Sequence, residues 1–209
     1  MKVLNNQTLT EDLPEQERTI NLSSEDNTFL QNHGIYYLLG DLEPIQATSL
    51  HQSILRKNLD PSWPSLAPLT IVINSPGGEL VGATWPLVDI ILASRFPIRT
   101  VAIGDCSSGA ALVLSCGTKG LRAAMPNASI MFHQLSSATE GNVEGIRSWY
   151  GSVEQEHRKM VRLLAKTSKY KSLKVVEKQL LAGEDVWLSP ERALEHGLID
   201  KIISRGLKW

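Results

Sequence analysis

Cysteine is scarce in this chain, with two (Cys106 and Cys116) among 209 residues. Ten positions apart, neither has a Cys or His partner at zinc spacing, so neither a disulfide scaffold nor a structural zinc site is expected. An excess of one charge is also missing. Twenty-one basic side chains face 22 acidic ones, net −1, with no long Lys/Arg run. That leaves no electrostatic footprint for nucleic acid or an anionic membrane, and neither partner is expected. No apolar stretch approaches the roughly 18 residues of a membrane span. The opening Met1-Lys2-Val3-Leu4-Asn5-Asn6-Gln7 turns polar too soon for a signal peptide, so a cytosol-like compartment is the expectation. In that compartment the glycosylation patterns at Asn6, Asn21 and Asn127 carry no weight.

What is present suits one ordinary globular domain. Apolar residues make up 42% and charged residues 21% of a 23.1 kDa chain, enough to bury a core but too little chain for two enzyme domains. The first 28 or so residues are polar and acidic around Glu11-Asp12-Leu13-Pro14-Glu15-Gln16-Glu17. They read as a mobile N-terminal arm with one short strand at Arg18–Leu22. Ile35–Leu39, the continuous β-branched run Leu69–Ile73, Ile98–Ile103 and Ala128–Phe132 read as strands. Helical spacing appears over 45–57, 82–94 and 110–114. Strands alternating with helices give an α/β fold with a largely parallel sheet.

From Val143 to Leu164 the apolar positions Val143, Ile146, Tyr150, Val153, His157, Met160 and Leu164 step by 3 and 4 in turn. This predicts a long amphipathic helix over 143–166, packed on the core or on a partner chain. Ser189-Pro190 reads as an N-cap followed by proline at the first helical position, with Gly197 closing that helix. Ile199–Ile203 adds a last strand.

Four features carry chemistry. Gly104-Asp105-Cys106-Ser107-Ser108-Gly109 turns from a strand into an apolar helix, which exposes a serine and aims backbone N–H groups at a ligand. It is neither the G-x-S-x-G elbow nor a phosphate loop. By local sequence a plain turn with Ser107 as helix cap is the commoner case. Asn74-Ser75-Pro76-Gly77-Gly78 ends a buried strand with two glycines that let a backbone approach a ligand, or that merely make the turn. His133 follows a strand at the sheet edge and is a candidate base; His157 reads as a packing residue, and His33, His51 and His196 as solvated. Asp185, beside the bulky run Val186-Trp187-Leu188, suits orienting an imidazole if partly buried, but a surface turn is commoner.

Together these motifs resemble the ClpP family, the proteolytic subunit of the Clp protease. Ile73–Gly78 matches its INSPGG stretch, Gly104–Ala111 its G-x-x-x-S-x-G-A block, and Met131-Phe132-His133-Gln134 the strand bearing its histidine. Asp185 with Leu188-Ser189, then Glu195–Asp200, matches its closing segments, and Arg18–Leu22 its first ordered strand. The resemblance runs from about residue 17 to 204. It implies a crotonase-like α/β domain of repeated β-β-α turns over 18–209, with 1–17 as a mobile arm and 143–166 as a protruding handle helix. It implies a serine endopeptidase with Ser108 as nucleophile, His133 as general base and Asp185 fixing the imidazole. The oxyanion would be held by the backbone N–H groups of Gly78 and Gly109, and no cofactor or metal is called for. It further implies a homo-oligomer, a heptameric ring or double ring. The ring encloses a chamber that degrades unfolded proteins or short peptides, fed by a Clp-type ATP-driven unfoldase.

The departures from the family pattern are specific. Gly109 and Ala110 stand where the family commonly has Met and Gly. Glu184 replaces an arginine that helps couple the rings. Thr70 and Val72 replace aromatic residues of the unfoldase pocket, and the arm lacks the apolar start of the axial loops. Weaker or absent unfoldase docking is therefore expected. The alternative is a latent or non-catalytic ring subunit assembling with active paralogues. A crotonase-fold acyl-CoA enzyme and a prohead-type or signal-peptide-degrading peptidase fit the residues less well. A divergent paralogue in bacterial cytoplasm or plastid stroma, or a virus-borne copy, accommodates the departures.

Overall fold

The β-branched run that starts at Leu69 forms the middle of a mostly parallel sheet in the computed structural model, which describes residues 24–204. This strand, β2 (Leu69–Ser75), lies between β1 (Ile35–Leu39) and β3 (Ile98–Ser107), parallel to both. The longer β3 serves two neighbours. Thr100–Ala102 pairs with β4 (Arg122–Ala124), and Asp105–Ser107 with β5 (Ser129–Phe132). Beyond them, β7 (Lys201–Ile202) extends from β4, and β6 (Val186–Leu188) joins β5 as the antiparallel member. Around the sheet stand α2 (Pro44–Leu59), α3 (Trp85–Ala93), α4 (Gly109–Ser115), α5 (Val143–Thr167), α6 (Leu173–Leu180) and α7 (Pro190–Glu195).

Alternation along β2 decides the core. Leu69, Ile71 and Ile73 join one buried cluster with Leu87 and Ile91 of α3, Leu114 of α4 and Leu164 of α5, as a pleat of period two requires. Val72 and Val101 are buried as well. Strands covered on both faces read as continuous apolar runs, which is how Leu69–Ile73 stands out in the sequence. Each such side chain contributes about 1.5–3 kcal/mol on burial.

Several elements differ from the sequence expectation. The predicted turn Gly104–Gly109 is strand as far as Ser107, because β5 supplies hydrogen-bonding partners and Gly104, at φ +71°, bends the strand without ending it. The helix expected over 82–94 opens as a π-helical turn, Leu80–Thr84, before α3. Glu79 caps that turn by accepting the Gly82 N–H. β4 and α6 carry no sequence expectation, since three residues of strand show no period and α6 follows a break at Ser168–Ser172. His196, read as solvated, is buried, and its Nδ1 lies 2.6 Å from the Tyr170 hydroxyl.

The chain divides into two units, residues 1–33 and 34–209. In the first, the described part is α1 (Ser24–Asn32), a helix that begins inside the segment read as an arm. There the Phe29 and His33 rings lie 4.3 Å apart. The arm at 1–17 and the strand expected at Arg18–Leu22 lie outside the described residues.

The long helix forms where its period predicts, capped by Asn142 through the Gly145 N–H. Its apolar stripe has two halves. Met160, Val161, Leu163 and Leu164 are buried, whereas Val143, Ile146 and Tyr150 are exposed, Tyr150 by 65%. At its far end, Arg122 donates to the carbonyls of Ser115, Thr167 and Gly197 and pairs with Asp200 at 2.7 Å. One guanidinium thereby joins the ends of α4 and α5 to the segment after α7. Ser189 caps α7 by accepting the Arg192 N–H, with Pro190 as its first residue.

Candidate active site

Each candidate side chain is placed by a strand end. Ser108 follows β3 and precedes α4 at φ +53°, ψ −123°, the only described non-glycine residue at positive φ. Three main-chain bonds hold this conformation: its N–H donates to Met131 O at 2.8 Å, and its carbonyl accepts from Ala111 and Leu112. Such a backbone costs about 1–3 kcal/mol and persists only where the surroundings fix it. The result turns the Ser108 side chain out of the sheet, half-buried, at the start of α4. Ser107, the alternative in the sequence, is buried, and its hydroxyl donates to Asp105 instead.

His133 immediately follows β5, which pairs with the end of β3, so one ladder delivers both side chains. Its Nε2 lies 2.7 Å from Ser108 Oγ. That is hydrogen-bond geometry for a base poised to take the hydroxyl proton.

The Asn74–Gly78 segment has a distinct mechanical part. Asn74 Oδ1 accepts the Asp105 N–H at 3.0 Å, bridging the register shift between β2 and β3. Ser75 Oγ accepts the Gly77 N–H at 3.1 Å. Gly77 sits at φ +91°, where a Cβ would stand 2.7 Å from Ser107 O and from Ser108 Cβ. A Cβ on Gly78 would stand 2.3 Å from Leu42 O, because Leu42 clamps this stretch by accepting from Glu79 and donating to Gly77 O. Glycine is required at both, and the turn is pressed against the Ser108–Gly109 backbone. Among the described residues, neither the Gly78 nor the Gly109 N–H has an acceptor, and the latter is a free donor of the first turn of α4.

Asp185 is placed differently. It is exposed and directly precedes Val186, whose ladder partner is Phe132, so Asp185 and His133 each stand one step past the last pair. No hydrogen bond joins them among the described residues. Of the other histidines, His157 is half-buried, 3.7 Å from Glu177, and His33 is exposed. Neither lines the cavity at Ser108. Both cysteines are buried thiols, with Cys116 pushed up to about 12 by burial, which makes them poor nucleophiles. No group of three His, Cys, Asp or Glu among the described residues could hold a metal ion. No helix among them is long and apolar enough to cross a membrane.

A cavity of about 490 Å³ opens onto the pair, bordered by Gly78, Ser108, Gly109 and His133 and roofed by Trp149, Val153 and Met160 of α5. Sequence reading did not find this roof or its half-buried carboxylate, Glu156. The helical period signals the side of α5, but only packing shows which strand ends that side covers.

An imidazole on a serine hydroxyl, with paired main-chain donors alongside, is how serine hydrolases as a class activate a nucleophile. Residues 16–206 match the family described as Clp protease, and the chain belongs to that family. It is 38% identical over 137 residues to the ATP-dependent Clp protease proteolytic subunit 1 of Tropheryma whipplei strain Twist, covering 65% of this chain and 64% of that protein. The match to proteolytic subunit 2 of strain TW08/27 has the same extent and identity. The chloroplastic proteolytic subunit 4 of Arabidopsis thaliana is 34% identical over 135 residues, 65% of this chain and 45% of that protein. The matched stretch thus spans just under two thirds of the bacterial relatives and less than half of the chloroplastic one.

Proposed function

We propose that this chain is a ClpP-type serine endopeptidase that hydrolyses peptide bonds of unfolded proteins or short peptides. The observation that carries this reading is the 2.7 Å contact between His133 Nε2 and Ser108 Oγ. His133 takes the hydroxyl proton as Oγ attacks the scissile carbonyl carbon. The carbonyl oxygen gains the charge and is held by the N–H groups of Gly78 and Gly109. Collapse breaks the C–N bond, His133 returns its proton to the leaving amine, and water repeats the cycle to release the acyl group. Asp185 is assigned the role of holding the imidazole tautomer, which it takes up once the segment before β6 brings its carboxylate to Nδ1.

The exposed, unbonded Asp185 favours a second reading, a latent ring subunit that lacks this third contact. Intact-mass analysis after treatment with a fluorophosphonate probe decides between them. The active reading expects one adduct on the wild type and none on Ser108→Ala. A folded, assembled sample that takes up no probe overturns it in favour of the latent subunit.

We further propose a heptameric ring or double ring with α5 as the handle, working in bacterial cytoplasm or plastid stroma. The exposed Val143, Ile146 and Tyr150 support this assembly. Weak unfoldase docking is part of the same proposal, since Thr70 and Val72 are both buried and present no aromatic surface.

A further inference from the structure

We propose that Thr84 is a positioning residue of the oxyanion hole, and that its hydroxyl sets the spacing between the two backbone segments that carry the Gly78 and Gly109 N–H groups. The inference rests on the serine peptidase reading above. Thr84 ends the π-helical turn Leu80–Thr84 and is fully buried. It does not line the cavity at Ser108, so its influence on turnover passes through its neighbours. An ordinary helical turn would put the Ala83 N–H on the Glu79 carbonyl. The wider π-turn brings Thr84 there instead, and its N–H and hydroxyl both donate to Glu79 O, at 3.0 and 2.9 Å.

Two contacts carry the argument. Glu79 directly follows Gly78, and its own N–H donates to Leu42 O at 2.9 Å. The Thr84 hydroxyl fixes the other end of that residue, so the peptide after the first donor is held on both sides. Towards the second donor, a Cβ on Gly109 would stand 2.4 Å from Thr84 Oγ1. That is closer than such atoms approach, so the oxygen occupies the space a side chain at Gly109 would need. The Gly77 turn closes on the Gly109 amide as well, since a Cβ on Gly77 would stand 2.9 Å from that nitrogen. One buried hydroxyl thus bonds to the residue after the first donor and packs against the second. Donors of this kind act through being fixed before the charge develops, and π-turns recur at functional sites. A methyl group in place of the hydroxyl cannot donate to Glu79 O.

The test measures kcat and KM of the full chain on one fluorogenic peptide for the wild type, Thr84→Val and Thr84→Ser. Thr84→Val is expected to lower kcat about tenfold with KM within about twofold, because displaced donors weaken the transition state and not substrate binding. Thr84→Ser keeps the hydroxyl and is expected to recover most of that loss. An unchanged kcat, a change confined to KM, or equal losses in both variants overturns the proposal and leaves Thr84 as packing. A second arm needs no turnover: urea unfolding of Gly109→Ala, with and without Thr84→Ala. The drop in midpoint caused by Gly109→Ala is expected to shrink to about half or less once Thr84→Ala opens the space, as coupled neighbours require. Equal drops in the two backgrounds overturn the proposal. Failure of the peptidase reading looks different. A wild type that takes up no fluorophosphonate and cuts no peptide overturns that reading, and the positioning role with it.

Discussion

Ser108 carries a backbone cost that fits the nucleophile role proposed for it. At φ +53°, ψ −123° it occupies backbone that glycine enters freely and other residues enter under strain. Removing only the hydroxyl leaves that strain in place, whereas removing the Cβ relieves it. Ser108→Gly is therefore expected to be more stable than Ser108→Ala by about 1 kcal/mol, against the usual order for these residues. Urea unfolding of the two variants measures the difference, and the reverse order would show that the fold does not strain this residue. The sequence shows a glycine-bounded turn with two serines. Local pattern alone does not show which one faces the imidazole, because Ser107 and Ser108 are equivalent until β5 pairs with Asp105–Ser107 and makes Ser107 a strand residue; it is the family resemblance that picks Ser108.

At the scale of elements, two titratable groups hold the end of α5 to the last helix and strand. Burial lowers the His196 pKa from its ordinary 6.5, helped by the positive charges of Arg192 and Lys169. For Asp200, burial works to raise the pKa, but the hydrogen bonds and charge of Arg122 outweigh it and leave it below 3.8. In both cases the unfolded chain binds the proton first, so stability rises with pH. The His196 contribution is present above pH 6.5 and is lost as pH falls from there towards the depressed folded value. The Asp200 contribution is lost in the same way below 3.8. Urea midpoints between pH 8 and 5 are expected to fall less steeply in His196→Asn than in the wild type. Identical slopes would assign the pH dependence elsewhere. The sequence reading of His196 as solvated fails for a clear reason. The residue ends a short capped helix with polar neighbours, and only the return of Tyr170 across it from the end of α5 buries it.

For the whole molecule, the exposed half of α5 is the element a single chain leaves unused. Val143, Ile146 and Tyr150 are 69%, 44% and 65% exposed along one stripe, more apolar surface than isolated exposed residues account for. If α5 joins subunits as proposed, Tyr150→Glu is expected to lower the mass of the assembly by native mass spectrometry. The melting temperature of the dissociated chain should stay within a few degrees, because Tyr150 has no core contact to lose. An assembly of unchanged mass would place the subunit contacts elsewhere.

The sequence by itself determined the parallel α/β architecture, the long helix and the order of the motifs. Doubly covered strands and amphipathic helices write their burial into hydrophobic period, and turns that need positive φ demand glycine. It also singled out Ser108 and His133, because the motif order of a family is preserved along the chain. Tertiary structure alone decided that these two meet at 2.7 Å, that Asp185 stays in solvent, and that α5 borders the cavity beside them. Those outcomes depend on pairing and packing between segments dozens of residues apart, and no local pattern encodes a distance across the sheet.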